Sequence, residues 1–312
     1  MLYFVEECCL NNTDRAYEFL ITQPGLNVED AFIRYTSYFE ISTPDLSRLL
    51  FVCKGRKKAF LGIGKSSGPA GFSLTCVPFE PVRAENRSGF SPLVLLETSN
   101  EMFPRIRVSI NGHSDEELDQ ARKICKLLEQ VSSSPPEDYP PIPACVAFRD
   151  VGMSFPEYSE AVNLAIRDMQ TGSLNKVVYS RCVEYTHSSP VSPASLLARV
   201  VYQTRDSDGD KRYIIYFKDQ DDDETYISVT PETLCRVHGN VIETEALAGT
   251  FKNDTAPVSI SHIDGKINTE HSSVSSYIQD KLSVLGDNLC VSPPSLLRLS
   301  KMTHVVQSIS QL

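Results

Sequence analysis

Five prolines fall within ten residues, 135–144, of the segment VSSSPPEDYPPIPA (131–144). Each proline removes a backbone donor and fixes φ, so neither a helix nor a central strand runs through this stretch. The chain is therefore expected to divide into an N-terminal half (1–131), a Pro/Ser-rich linker (132–144) and a C-terminal half (145–312). At 312 residues it has the length for two domains or one large layered domain.

Upstream of the prolines, DEELDQARKICKLLEQV (115–131) places Leu118, Ala121, Ile124, Cys125, Leu128 and Val131 at helical spacing. RYTSYFEI, RLLFVC and LVLLETS are rich in β-branched, aromatic and aliphatic residues and read as strands, with turn residues in GKSSGPAG between them. Downstream, Tyr158, Ala161, Val162, Ala165, Ile166 and Met169 share a helical face that stops at Gly172, and the run Val177–Val183 reads as a strand. RYIIYFKD and TYISVTPETLCRVHGNVIETEALAGT predict three or four short strands, turned at Pro231 and HGN. His271, Val274, Ile278 and Leu282 mark a further helix. Strands cluster instead of alternating with helices, which favours an α+β layered sandwich over a doubly wound sheet.

Composition excludes several functions. The net charge of −10, with no basic stripe, argues against a nucleic-acid surface, which needs cations to displace the counterions of phosphates. No segment approaches the roughly 18 consecutive apolar residues of a membrane span. The start, MLYFVEECCLNNTD, lacks a basic region before its short apolar run, so a cytoplasmic protein is expected. Nine cysteines without a C-x-x-C pair suggest reduced thiols packed mostly as small hydrophobes. DSDGDK (206–211) imitates a calcium loop but has Gly at the fourth position and Phe217 at the twelfth; DQDDDE (219–224) reads as a solvated hairpin tip. No H-E-x-x-H, G-x-S-x-G, P-loop or G-x-G-x-x-G occurs.

Four segments occur in order: LNKVVYSRCVEY (174–185), VTPETLCRV (229–237), IETEALAGT (242–250) and GKINTEHSSV (265–274), followed by KMTHVVQSIS (301–310). Together, over roughly residues 145–312, they resemble the chorismate-utilising enzymes, which include anthranilate synthase component I and isochorismate synthase, and look closest to salicylate synthase. The resemblance implies an α+β sandwich that binds chorismate and Mg²⁺ and converts chorismate to isochorismate or salicylate, feeding siderophore or other secondary metabolism. Lys176 matches the general base that activates water, Glu232 the general acid that protonates the departing hydroxyl, and Glu270 a magnesium ligand. Leu247, Ala248, Gly249 and Thr250 match the substrate-contacting corner, and His304 a histidine lining the ring pocket. A lysine where ammonia-using relatives carry glutamine favours water as the nucleophile.

Elementary chemistry is compatible with these roles. A lysine acts as a base when desolvated, and the apolar strand expected around Lys176 would supply that; Gly249 permits close backbone approach to a ligand. Two departures accompany the resemblance. Ile267 stands where the family has a carboxylate after the lysine of GKINTEH, and the sequence stops at SISQL, before the family's C-terminal strands and helices. The alternatives are an anthranilate synthase-like enzyme, or a catalytically inactive homologue acting as a binding or scaffold protein that self-associates through the uncovered sheet.

Overall fold

The computed structural model describes residues 2–3, 18–21, 28–53, 58–68, 74–76, 88–99, 105–132, 141–174, 176–203, 213–221, 224–286 and 288–312. The DSDGDK motif and most of the proline-rich segment lie outside these residues. Along the chain run β1 (Leu2–Tyr3), β2 (Glu18–Ile21), α1 (Val28–Ser42), β3 (Arg48–Cys53), β4 (Lys58–Lys65), β5 (Leu74–Cys76), β6 (Ser88–Phe90), β7 (Pro92–Ser99), β8 (Arg105–Ile110) and α2 (Asp115–Ser132). Then follow β9 (Cys145–Val151), α3 (Phe155–Gln170), β10 (Cys182–His187), α4 (Pro193–Gln203), β11 (Tyr213–Lys218), β12 (Thr225–Thr230), β13 (Arg236–His238) and β14 (Val241–Lys252). The last elements are α5 (Gly265–Ser283), β15 (Leu289–Val291), β16 (Ser295–Arg298) and β17 (Met302–Gln311).

Two compact units interleave: residues 1–139 with 193–232, and residues 140–192 with 233–312. The proline-rich segment predicts a single boundary, whereas the chain returns to the first unit at Pro193.

The first unit is an antiparallel sheet in the order β1-β2-β8-β7-β4-β3-β11-β12. Helices α1, α2 and α4 pack against it and bury Phe32, Phe39, Leu118, Ile124, Leu197 and Val201 on Leu50, Leu61, Leu96 and Ile214. Arg48 is buried at the start of β3, and its Nη1 donates to Phe39 O at 2.6 Å and Thr43 O at 2.9 Å. One guanidinium thus satisfies carbonyls at the end of α1, a helix with no basic residue in its own last turn. At the β11–β12 turn, Asp219 accepts from Ser47 Oγ at 3.1 Å and pairs with Lys65 at 3.8 Å, so this acidic tip is anchored.

RYTSYFEI, expected as a strand, lies inside α1. Phe32, Tyr35, Thr36 and Phe39 are all buried, and their spacing of three to four puts them on one helical face against the sheet. Burial there outweighs the strand propensity of aromatic and β-branched residues. The α4 segment, SPASLLARVVYQ, was not anticipated as a helix; its buried face is Ala194, Leu197, Ala198 and Val201.

The second unit has β17 at its centre: β14 pairs along one side, β15 and then β16 along the other, and β13 extends beyond β14. Helix α5 packs across β14 and β17. Its N-cap is Asp264, whose carboxylate accepts from Ile267 N at 2.9 Å. β9 and β10 form a separate two-stranded ladder, followed and preceded by α3. Ser154 and Glu157 close a capping box at the start of α3.

The strand expected over Val177–Val183 begins only at Cys182. Its partner accounts for this, because the ladder starts with Cys182 opposite Val151, and Gly152 at φ 81° then turns β9 away. The cysteines differ from expectation too: Cys145, Cys182, Cys235 and Cys290 are exposed, Cys125 is half-buried, and all are free thiols. Three of the exposed four lie on short or two-stranded ladders of the second unit, which leave one or both faces open.

Candidate active site

The Ala-Gly-Thr corner is a β-bulge. Leu247 sits opposite Val306 and Thr250 opposite His304, so two residues of β14, Ala248 and Gly249, face the single Val305 of β17. Gly249 adopts φ 91°, open to glycine but strained for other residues. The space is closed as well: a Cβ on Gly249 would lie 2.6 Å from Ile267 Cγ2 and 3.3 Å from Val305 Cγ2.

The extra residue changes which side chains share a face. Leu247 and Thr250, three apart, would point to opposite faces of a regular strand. Here both register with residues of β17 that are two apart, His304 and Val306. Thr250 Oγ1 is consequently 3.0 Å from Nδ1 of the buried His304.

Helix α5 supplies the neighbouring charge. Ile267 lies over Gly249, and Glu270 follows on the same helical side, one turn along. Lys176 Nζ is 3.5 Å from Glu270 Oε1, both side chains about one-third exposed. An ion pair at that exposure is worth at most about 1 kcal/mol of stability. Its significance is placement, since it joins two segments nearly a hundred residues apart. Lys176 lies in irregular backbone before β10, with Val178 exposed, so the desolvating strand expected around it is absent.

Lys176, Gly249, Thr250, Glu270 and His304 all belong to the second unit. Ala248 is buried and Leu247 half-buried beside them on β14. Glu232 belongs to the first unit, where it is exposed just after β12 and its backbone N–H donates to Thr230 Oγ1 at 3.3 Å.

Sequence reasoning passed over His271 except as a helix-face residue. The structure buries it, with Nδ1 3.2 Å from Ala248 O and Nε2 without a partner. A glycine breaking the alternation of a strand was the available signal, because it marks a bulge whose unpaired backbone needs a partner from elsewhere.

Among the described residues no three His, Cys, Asp or Glu side chains converge as a metal cage. Glu270 offers one carboxylate, and Ile267 offers no oxygen. Magnesium commonly keeps several waters and takes one or two protein carboxylates, with substrate oxygens completing the shell. Glu270, paired with Lys176, supplies one carboxylate of that kind.

Comparison with known proteins agrees with this architecture. The family model of chorismate binding enzymes matches residues 86–311. Isochorismate synthase MenF of Escherichia coli K12 is 28% identical over 158 residues, 49% of this chain and 35% of that protein, so the match spans about a third of the relative's length. The solved structure of MenF, the menaquinone-specific isochorismate synthase of Escherichia coli, superposes with a TM-score of 0.63 at 16% identity, over 95% of this chain and 70% of that one. Anthranilate synthase component I of Streptococcus pneumoniae gives 0.51 at 13% identity, over 85% and 67%. At these identities the superpositions establish the fold, an α+β architecture of the isochorismate synthase type. The matched region holds the bulge, both of its α5 neighbours and the Lys176–Glu270 pair, and the chain belongs to the family of chorismate binding enzymes.

Proposed function

We propose that this protein binds chorismate and catalyses its conversion to isochorismate, with salicylate as a further product if pyruvate is eliminated. The observation that carries the reading is the Lys176–Glu270 pair at 3.5 Å, set on the helix whose preceding turn covers the Gly249 corner. In this reading Lys176 takes a proton from the water that attacks the ring, and Glu232 gives a proton to the hydroxyl that leaves. One water enters and one departs, so the isomerisation balances without a redox partner. Thr250 and His304 orient the substrate at the corner, alongside Leu247 and Ala248.

Mg²⁺, held by Glu270 together with substrate oxygens and water, would offset the negative charge of a dicarboxylate in a protein that is itself acidic. The test is turnover of chorismate with Mg²⁺ by the purified protein, resolving isochorismate by chromatography and salicylate by fluorescence. Lys176→Ala is expected to lower turnover by about 10²-fold or more, as for loss of a general base. Equal turnover in the variant would refute the assignment.

A second reading is a non-catalytic binding protein of the same fold. The open β9–β10 ladder favours it, since Phe148 and Tyr185 are 73% and 61% exposed. It requires that chorismate is not turned over, and self-association visible by size-exclusion chromatography.

A further inference from the structure

We propose that His271 is a positioning residue that holds the Ala248–Gly249 bulge in the shape that sets Thr250 beside His304. A bulge leaves its extra backbone groups outside the strand ladder. Ala248 is one of the two bulged residues and is buried, and its carbonyl has a hydrogen-bond partner outside the sheet. His271 reaches it from α5, with Nδ1 3.2 Å from Ala248 O. A carbonyl oxygen only accepts, so Nδ1 carries the hydrogen, and Nε2 is left as a bare, buried nitrogen with no partner.

Ile267, four residues before His271 on the same face, lies over Gly249. Two successive turns of α5 thus engage the two bulged residues, one by contact and one by a hydrogen bond. The next turn repeats the docking: Ser275 Oγ donates to Gln307 Oε1 of β17 at 2.5 Å. Without His271 the buried Ala248 carbonyl would lose its hydrogen bond to α5. A cheaper arrangement for the backbone would then be a regular ladder, which turns Thr250 to the opposite face. That the corner serves chorismate rests on the proposed function; that His271 shapes it does not.

The experiment begins with the wild-type protein labelled with ¹⁵N-histidine. Long-range ¹H–¹⁵N correlation should give, for the one resonance set of six that disappears in His271→Asn, a protonated Nδ1 and a bare Nε2. The opposite tautomer would overturn the proposal without any appeal to a variant's folding. Hydrogen exchange at the amides of 248–251 is then compared in His271→Asn, whose amide N–H stands near the Nδ1 position, and His271→Leu, which has no donor. Exchange should be about tenfold faster in the leucine variant than in the asparagine variant, as for loss of one buried hydrogen bond, with β15–β16 amides unchanged. Equal exchange in the two would overturn it. If chorismate is turned over, KM should rise in His271→Leu and recover in His271→Asn. If it is not, the functional reading fails while tautomer and exchange still decide the role of His271.

Discussion

Gly249→Ala tests the corner quantitatively. A Cβ at φ 91° adds left-handed strain of about 1–2 kcal/mol. Its contact with Ile267 Cγ2 would be 2.6 Å, below any ordinary carbon–carbon approach, and overpacking of that kind costs about 1–3 kcal/mol. The sum is about 2–5 kcal/mol on the stability of the second unit. Ile267→Ala removes the Cγ2 that the new methyl would meet, so the double variant should recover the steric part and retain only the backbone part. The expected coupling is about 1–3 kcal/mol. Urea unfolding followed by tyrosine fluorescence measures it, because the chain has thirteen tyrosines and no tryptophan. A single variant within about 0.5 kcal/mol of wild type would refute the claim of strain, and additive free energies would refute the claim that Ile267 closes the space.

Arg48→Met keeps most of the side chain's packing but removes the hydrogen bonds from a buried cation to the Phe39 and Thr43 carbonyls, which keep Thr43 N and Leu46 N as donors, and should cost about 1.5–3 kcal/mol, read as a lowered thermal midpoint. Ser154→Ala removes the N-cap of α3 and should cost about 1 kcal/mol. The same change should alter acid sensitivity. Hydrogen bonds from the Ser154 side chain and backbone hold the Glu157 carboxyl below its usual range, so this contribution is present at neutral pH and lost as pH falls through the folded-state value. The difference between wild type and variant should therefore narrow in acid towards that of the pH-independent bond from Glu157 N to Ser154 Oγ, and a constant difference down to pH 2 would refute the linkage. Mn²⁺, followed by its paramagnetic resonance, should bind more tightly when chorismate is present, and Glu270→Gln should abolish that linkage. An unchanged linkage in the variant would remove Glu270 from the ion's shell.

Elements whose period matched their environment were legible from the sequence. The faces of α2 and α5 follow from apolar spacing alone, and β3, β7, β11 and β14 from runs of β-branched, aromatic and aliphatic residues; of the face expected on α3 only Ala165 is buried, and Ile166 and Met169 are exposed. Misreadings occurred where long-range packing decides. RYTSYFEI has strand composition, yet a sheet assembled from distant segments takes it as a helix face. Val177–Tyr179 has strand composition as well, but β9 provides no backbone opposite it. For the candidate site, ordered motifs picked out residues that the fold brings together in pairs: Lys176 with Glu270, and Thr250 with His304. His271 was hidden because its partner is a backbone carbonyl at a bulge, 23 residues away in the sequence. No residue type announces such a partner.

The interleaving of the two units bears on how the protein is made. β3 pairs with β11, and Val52 waits for Ile214, about 160 residues later. At roughly 5–20 residues per second of synthesis, that edge stays uncovered for about 8–30 s. Meanwhile the ribosome delivers β9, α3 and β10, which belong to the other unit. A nascent chain of this design presents an apolar six-residue strand to the cell before its neighbour exists, so its yield should depend on elongation speed and on chaperones that shield the growing polypeptide.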